Sequence, residues 1–251
     1  MAHNYDPRVS PAPGQRQGYT SLSREAYDAG LRSYMLSVYN YMISGVLLTG
    51  MVAIAMAYTG AVAALFNPVT GAPSILGWIV MLAPLGMVFF LGFRIQTMSQ
   101  GAAQATFWAF AALMGASLST IFLRYTGTSI ATTFFATAAA FAGLSLYGYT
   151  TKRDLSPMGT FLIMGLVGIL VAMLLNMFIQ SSALQLVISI LGVLIFAGLT
   201  AHDTQKIKLI YDQVAGTEMV GKTAIMGALT LYLDFVNMFT FLLQFLGTQR
   251  D

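Results

Sequence analysis

From Leu36 to Leu246 the chain alternates seven long apolar runs with short polar breaks. A helix that crosses a bilayer needs roughly 20 mostly apolar residues. The runs predict such helices over 36–58, 74–96, 104–124, 128–150, 159–180, 183–206 and 223–246. Gly60 and the Asn67-Pro68 turn end the first, and Pro84 lies inside the second. Arg124 closes the third and Lys152-Arg153-Asp154 the fourth, while Ser181-Ser182 alone joins the fifth to the sixth. Ahead of them, residues 1–30 contain Pro7, Pro11, Pro13, Gly14 and Gly18 and little aliphatic content, the pattern of a disordered tail. The organisation expected is a tail over 1–30 and one all-α membrane domain of seven transmembrane helices over 31–251.

Composition reinforces the pattern. The chain is 57% hydrophobic and only 8% charged, against about 25% charged in a soluble domain. Too few charges remain to build a polar surface, so lipid is the expected solvent. There is no Cys, which excludes disulfides, thiol catalysis and thiolate metal sites. The net charge of +3 does not point to nucleic acid, because the basic residues sit at helix ends, where they set topology. With the N-terminus inside, ten of the twelve basic residues fall on the cytoplasmic side, and only Arg124 and Arg250 outside. A miscount of one helix would destroy that asymmetry. The N-terminus is therefore expected in the cytoplasm and the C-terminus outside. The first apolar run starts too far from Met1 for a cleaved signal peptide, and is expected to act as an uncleaved insertion signal.

Against this background two of the nine acidic residues are out of place. Asp203 lies in the sixth helix, within FAGLTAHDTQKIK, and Asp234 in the seventh, within GALTLYLDFVNMF. A charge at the bilayer centre costs at least about 2.5–3.5 kcal/mol, and such residues face the bundle interior. Asp234 is roughly 15 Å along its helix from Ala224. If KIKLIY extends the sixth helix to Tyr211, with its lysines snorkelling, Asp203 sits roughly 12 Å from that end. The two acids are then expected at one level, facing each other. In the seventh helix Gly227, Thr230, Asp234, Asn237 and Gln244 share one face, and Thr230 and Asn237 are candidates to line a pathway. The alternative is a set of hydrogen bonds that holds the bundle together.

Two carboxyls side by side cannot both ionise cheaply, so the pair is expected to share a proton and titrate as a unit. Ionised, it offers hard oxygens that suit Ca²⁺. Two carboxyls do not complete such a site, so any binding there is weak and transient, fit for passage rather than storage. Arg94, at the cytoplasmic end of the second helix, is a candidate latch that pairs with Asp203, or else an ordinary interfacial Arg. His202 points about 100° away from Asp203 on a helix and reads as interfacial and solvated, with a proton relay as the alternative. Three segments, AALMGASLS, AAFAGLSLY and AIMGALTLY, share small residues that suit close helix packing.

At these motifs the sequence resembles the Bax inhibitor family, also called the transmembrane Bax inhibitor motif family. The resemblance rests on Phe93-Arg94-Ile95-Gln96, on GYTTKRDLS at 148–156, and on FAGLTAHDTQKIK and MGALTLYLDFVNMF in order and at the family's spacing. It extends from about residue 30 to the C-terminus. It implies six helices packed around a central C-terminal one. It also implies a pH-sensitive calcium leak governed by an aspartate pair, which falls here on Asp203 and Asp234, with the family's second-helix arginine at Arg94. His202 stands where many relatives carry an aromatic residue. Bacterial relatives lie in the inner membrane, some in association with membrane proteases, and a bacterial inner membrane is the expected location.

Other classes fit less well. Intramembrane aspartyl proteases also use two Asp residues on adjacent helices, but theirs sits in Gly-x-Gly-Asp, and here Asp234 follows Leu231-Tyr232-Leu233. No Lys lies within the seventh helix for a retinal Schiff base, His3 and His202 cannot make a zinc hydrolase, and no GxxxxGK[ST] loop offers a nucleotide site. The expectation is a non-enzymatic calcium leak without cofactor, its partners being lipid, Ca²⁺ and other membrane proteins. A regulatory protein that acts only by binding such partners stays open beside it.

Overall fold

The computed structural model describes the backbone of residues 13–250 and the side chains of residues 24–250. The helices are α1 (Pro13–Tyr58), α2 (Ile75–Arg94), α3 (Gln100–Leu118), α4 (Ile121–Arg124), α5 (Gly127–Thr150), α6 (Ser156–Ile179), α7 (Ser182–Val214) and α8 (Val220–Leu246). With α3 and the single turn α4 counted as one span, seven stretches are long and apolar enough to cross a membrane. Four of the starts are fixed by hydroxyl caps. Ser74, Ser99, Thr126 and Ser181 each accept a hydrogen bond from the backbone N–H three residues on, which satisfies donors that a helix leaves unpaired at its start.

Two helices outrun their apolar patterns. α1 begins at Pro13, so residue 30 is not a structural break; residues 1–12 of the expected tail lie outside the described residues. Pro suits a first helical position, and Ser21 to Ser33 is rich in Leu, Arg, Glu and Ala, which favour helix. This polar extension packs on another. α7 continues past Lys206 to Val214, where the Tyr211 ring lies 5.5 Å from Tyr27 and 5.3 Å from Tyr34, centre to centre. The Tyr27 hydroxyl donates to Asp212 Oδ1 nearby.

α8 is the interior helix. Of its most apolar stretch, 67% is buried, against 33% in α7 and 11% in α6. Phe107 and Phe110 of α3 meet Tyr232 edge-on, and Phe134 and Phe141 of α5 meet Phe235. The Tyr232 hydroxyl sits 2.6 Å from Thr49 Oγ1 of α1. Helices α7, α1, α5 and α3 pack directly on α8, and α2 faces it through Val88, Phe89, Gly92 and Phe93. α6 packs chiefly on α7, so it forms an outer layer rather than an equal sixth of a ring around α8.

The connections alternate between two ends. At the far end from the start of α1, the segment after α8 is clamped: Arg250 Nη1 donates to the Phe122 carbonyl, and Tyr125 forms an isolated antiparallel bridge with Gln249. At the near end, the exposed Asp154 accepts a backbone hydrogen bond from Ser156 at the start of α6. That bond holds the Asp154 carboxyl below its ordinary range.

Candidate functional site: an acid pair on the α7–α8 seam

α7 has neighbours on three sides, each met by a different set of its residues. Toward α6 it presents Ile195, Gly198 and His202, against Gly165, Leu162 and Gly159. Toward α5 it presents Ala201, Thr204 and Lys208. A side chain at Gly148 would strike the Ala201 carbonyl, Ser145 Oγ is 2.9 Å from Thr204 Oγ1, and Lys208 Nζ donates to the Tyr149 carbonyl at 3.0 Å. Toward α8 it presents Gly192, Phe196 and Ile207. Phe196 stacks on Phe241 with ring centres 5.9 Å apart, Gly192 lies under the same ring, and Ile207 fills the space left by Gly227.

Those last contacts fix the register of the antiparallel pair. Asp234 lies seven residues from Gly227 and seven from Phe241, so it shares their face of α8, directed at α7. Asp203 lies four residues before Ile207 and seven after Phe196, on the face of α7 directed at α8. Measured from the Phe196–Phe241 contact, each acid is roughly 10 Å along its own helix, at the same level.

The two carboxyls have different surroundings. Asp234 is only 4% exposed, and its Oδ2 makes no hydrogen bond among the described residues. A buried oxygen without a partner is costly, so this group is held in place by the fold and not by local bonding. Asp203 keeps a 15% exposed side chain, and its Oδ1 lies 2.7 Å from Nδ1 of His202.

His202 is the residue that sequence reasoning misjudged. Its side chain is only 13% exposed: its ring packs into the notch left by Gly159 of α6, and its Nδ1 turns back to the neighbouring Asp203. The helical 100° offset is overcome because both side chains reach to the same end of the seam. Gly159 lies on another helix, so no periodicity within α7 signals this contact.

The other candidates are placed as follows. Arg94 is exposed at the end of α2, and the described residues contain one ion pair, His202 with Asp203; Arg94 is not joined to Asp203 in this arrangement. Thr230 faces α2 across a cavity of about 390 Å³, and its hydroxyl donates back to the Met226 carbonyl at 3.1 Å. Asn237 donates to the Leu233 carbonyl at 2.8 Å, and Gln244 accepts from Gln185 of α7 at 2.7 Å. The polar face of α8 thus divides: Gly227 and Asp234 meet α7, and Thr230 meets α2.

No group of three or more His, Cys, Asp or Glu side chains converges among the described residues. Two carboxyls alone fall short of the oxygen ligands that a resident Ca²⁺ takes. A cavity of about 700 Å³ lies between α1 and α5, lined also by Phe235 of α8 but by neither acid.

Residues 31–251 match the protein family described as "Inhibitor of apoptosis-promoting Bax1". The chain is 48% identical over 237 residues to an uncharacterized protein of Rickettsia prowazekii, covering 92% of this chain and 96% of that one. It is 46% identical over 224 residues to the inner membrane protein YbhL of Escherichia coli, covering 88% and 94%. A protein of Caulobacter vibrioides, also uncharacterized, is 44% identical over 229 residues, covering 89% and 92%.

Proposed function

The chain belongs to the Bax inhibitor family, and from that premise we propose that it is a pH-sensitive calcium leak of a bacterial inner membrane, controlled by Asp203 and Asp234. The observation that carries this reading is the placement of Asp234: a nearly inaccessible carboxyl, one oxygen without a bond, at the level of a second acid on the adjacent helix. Packing alone needs no acid there, since an apolar residue of similar shape costs nothing to desolvate. With a proton between them the two carboxyls tolerate the closed seam; without it their mutual repulsion favours separation of α7 from α8 and draws in a divalent cation. The buried state of Asp234 corresponds to the closed form. Ca²⁺ is cargo in this scheme, met by few protein ligands and therefore released quickly.

His202 adds a third titratable group to the pair. Neutral, it donates from Nδ1 to Asp203; protonated, it completes an ion pair that competes with Asp234 for the charge of Asp203. Arg94, joined to neither acid here, is available as a latch only if α2 moves. We place the N-terminus in the cytoplasm, which puts the His202 end of the seam on that side.

Proteoliposomes loaded with a Ca²⁺ indicator test the reading. The wild-type protein is expected to pass Ca²⁺ at a rate that depends on pH, because the two acids exchange a proton as a unit. Asp234→Asn and Asp203→Asn are each expected to flatten that dependence by removing one partner of the pair. Flux equal to protein-free liposomes at every pH would refute the leak, and would leave a regulatory role through partner membrane proteins as the reading to pursue.

A further inference from the structure

The cavity between α1 and α5 is a groove, and its shape and charge point to an occupant. It runs along α1 from Arg32 through Met35, Tyr39 and Ile43 to Leu47, with α5 from Tyr149 back to Phe134 as the opposite wall. Its volume is about 700 Å³ and its walls are almost wholly apolar. Behind it, Tyr39 and Ser145 join hydroxyls at 2.7 Å and so consume the polarity of its floor. Arg32 to Leu47 is fifteen helical steps, roughly 22 Å. One leaflet with its headgroups is also roughly 20–22 Å deep, half of the ~40–45 Å bilayer.

The charge is confined to one end. Arg32 stands at the mouth, exposed, and makes no ion pair among the described residues. Across from it, Lys208 sits 5.0 Å over the ring of Tyr149, which forms the opposite lip. The acid one turn back along α1, Asp28, is not bonded to Arg32. A cation at headgroup depth above an apolar trough of leaflet length matches an amphiphile with an anionic head.

We propose that the α1–α5 groove binds a single anionic phospholipid, with an acyl chain along Met35 to Leu47 and the headgroup phosphate at Arg32. A soluble anion does not use the trough, and a zwitterionic lipid brings, beside the same phosphate, a cation of its own that offsets the pairing with Arg32.

The test is native mass spectrometry of the full-length protein released from detergent after equilibration with equal phosphatidylglycerol and phosphatidylcholine of identical chains. One phosphatidylglycerol is expected to be retained about fivefold over phosphatidylcholine, the factor that one basic residue near an anionic head provides. Arg32→Gln is expected to bring the ratio close to one, whereas Arg124→Gln, at the opposite end of the molecule, leaves it unchanged. Ala142→Trp, at an exposed position on the groove wall, is expected to lower retention of both lipids several-fold. The proposal is overturned if the two lipids are retained equally by the wild type, if the preference survives Arg32→Gln, or if Ala142→Trp changes nothing. It is also overturned if inorganic phosphate at the lipid's concentration displaces the lipid, or if the occupant proves to be a second copy whose dimer Ala142→Trp dissolves.

Discussion

His202 and Asp203 are consecutive, yet each answers to a different helix: the imidazole to Gly159 of α6, the carboxyl to Asp234 of α8. The bond between them makes His202 the residue best placed to tune the acid pair. His202→Phe keeps a ring in the Gly159 notch and removes Nδ1. We expect the melting temperature to stay close to wild type while the pH profile of Ca²⁺ flux moves; an unchanged profile would reduce His202 to a packing residue. The two acids themselves were legible in the sequence, because a carboxylate inside an apolar run has no inexpensive explanation. The setting of His202 was not, since it depends on a missing side chain on a helix more than forty positions earlier. Arg94 shows the converse. Its charge and depth made it a candidate partner for Asp203, but α2 packs on α3 and leaves it exposed.

Among the helices, α7 explains why periodicity alone reads poorly in a membrane bundle. Its polar and small residues lie all round, because three faces meet three neighbours, and no single stripe results. Close approach at Gly148, where α5 rides on the Ala201 carbonyl, sets the Ser145–Thr204 and Tyr39–Ser145 bonds in line. Gly148→Val is expected to push α5 away, break that hydroxyl chain and destabilise the protein by about 2–3 kcal/mol, as overpacking of a tight contact does; thermal unfolding in detergent measures it. A melting temperature equal to wild type would show that the contact relaxes freely. The hydropathy pattern placed the apolar parts of the helices within a few residues. It missed the extension of α1 to Pro13, while the run of α7 past Lys206 was read from KIKLIY and not from hydropathy; the two polar extensions meet where Tyr27 and Tyr34 pack on Tyr211.

Viewed as a whole, the molecule is a cysteine-free bundle, which makes its orientation directly measurable. Thr70→Cys, between α1 and α2, and Glu218→Cys, between α7 and α8, lie at opposite ends. With an impermeant maleimide on intact cells, the Thr70 variant is expected to label and the Glu218 variant to label only after the membrane is opened. The reverse pattern would invert the topology drawn from the basic residues. The bundle of seven was readable from run lengths and charge asymmetry. The interior position of α8 came only from resemblance to the family, since its run is no more apolar than its neighbours, and the outer place of α6 was not anticipated at all. That interior position has a consequence for biogenesis. The most enclosed of the seven spans is also the last of them to be synthesised, so the helices that pack on it must wait in the membrane beside an unfilled slot until it arrives. Asp203 spends that interval without its companion, and the two acids meet only once α8 has docked.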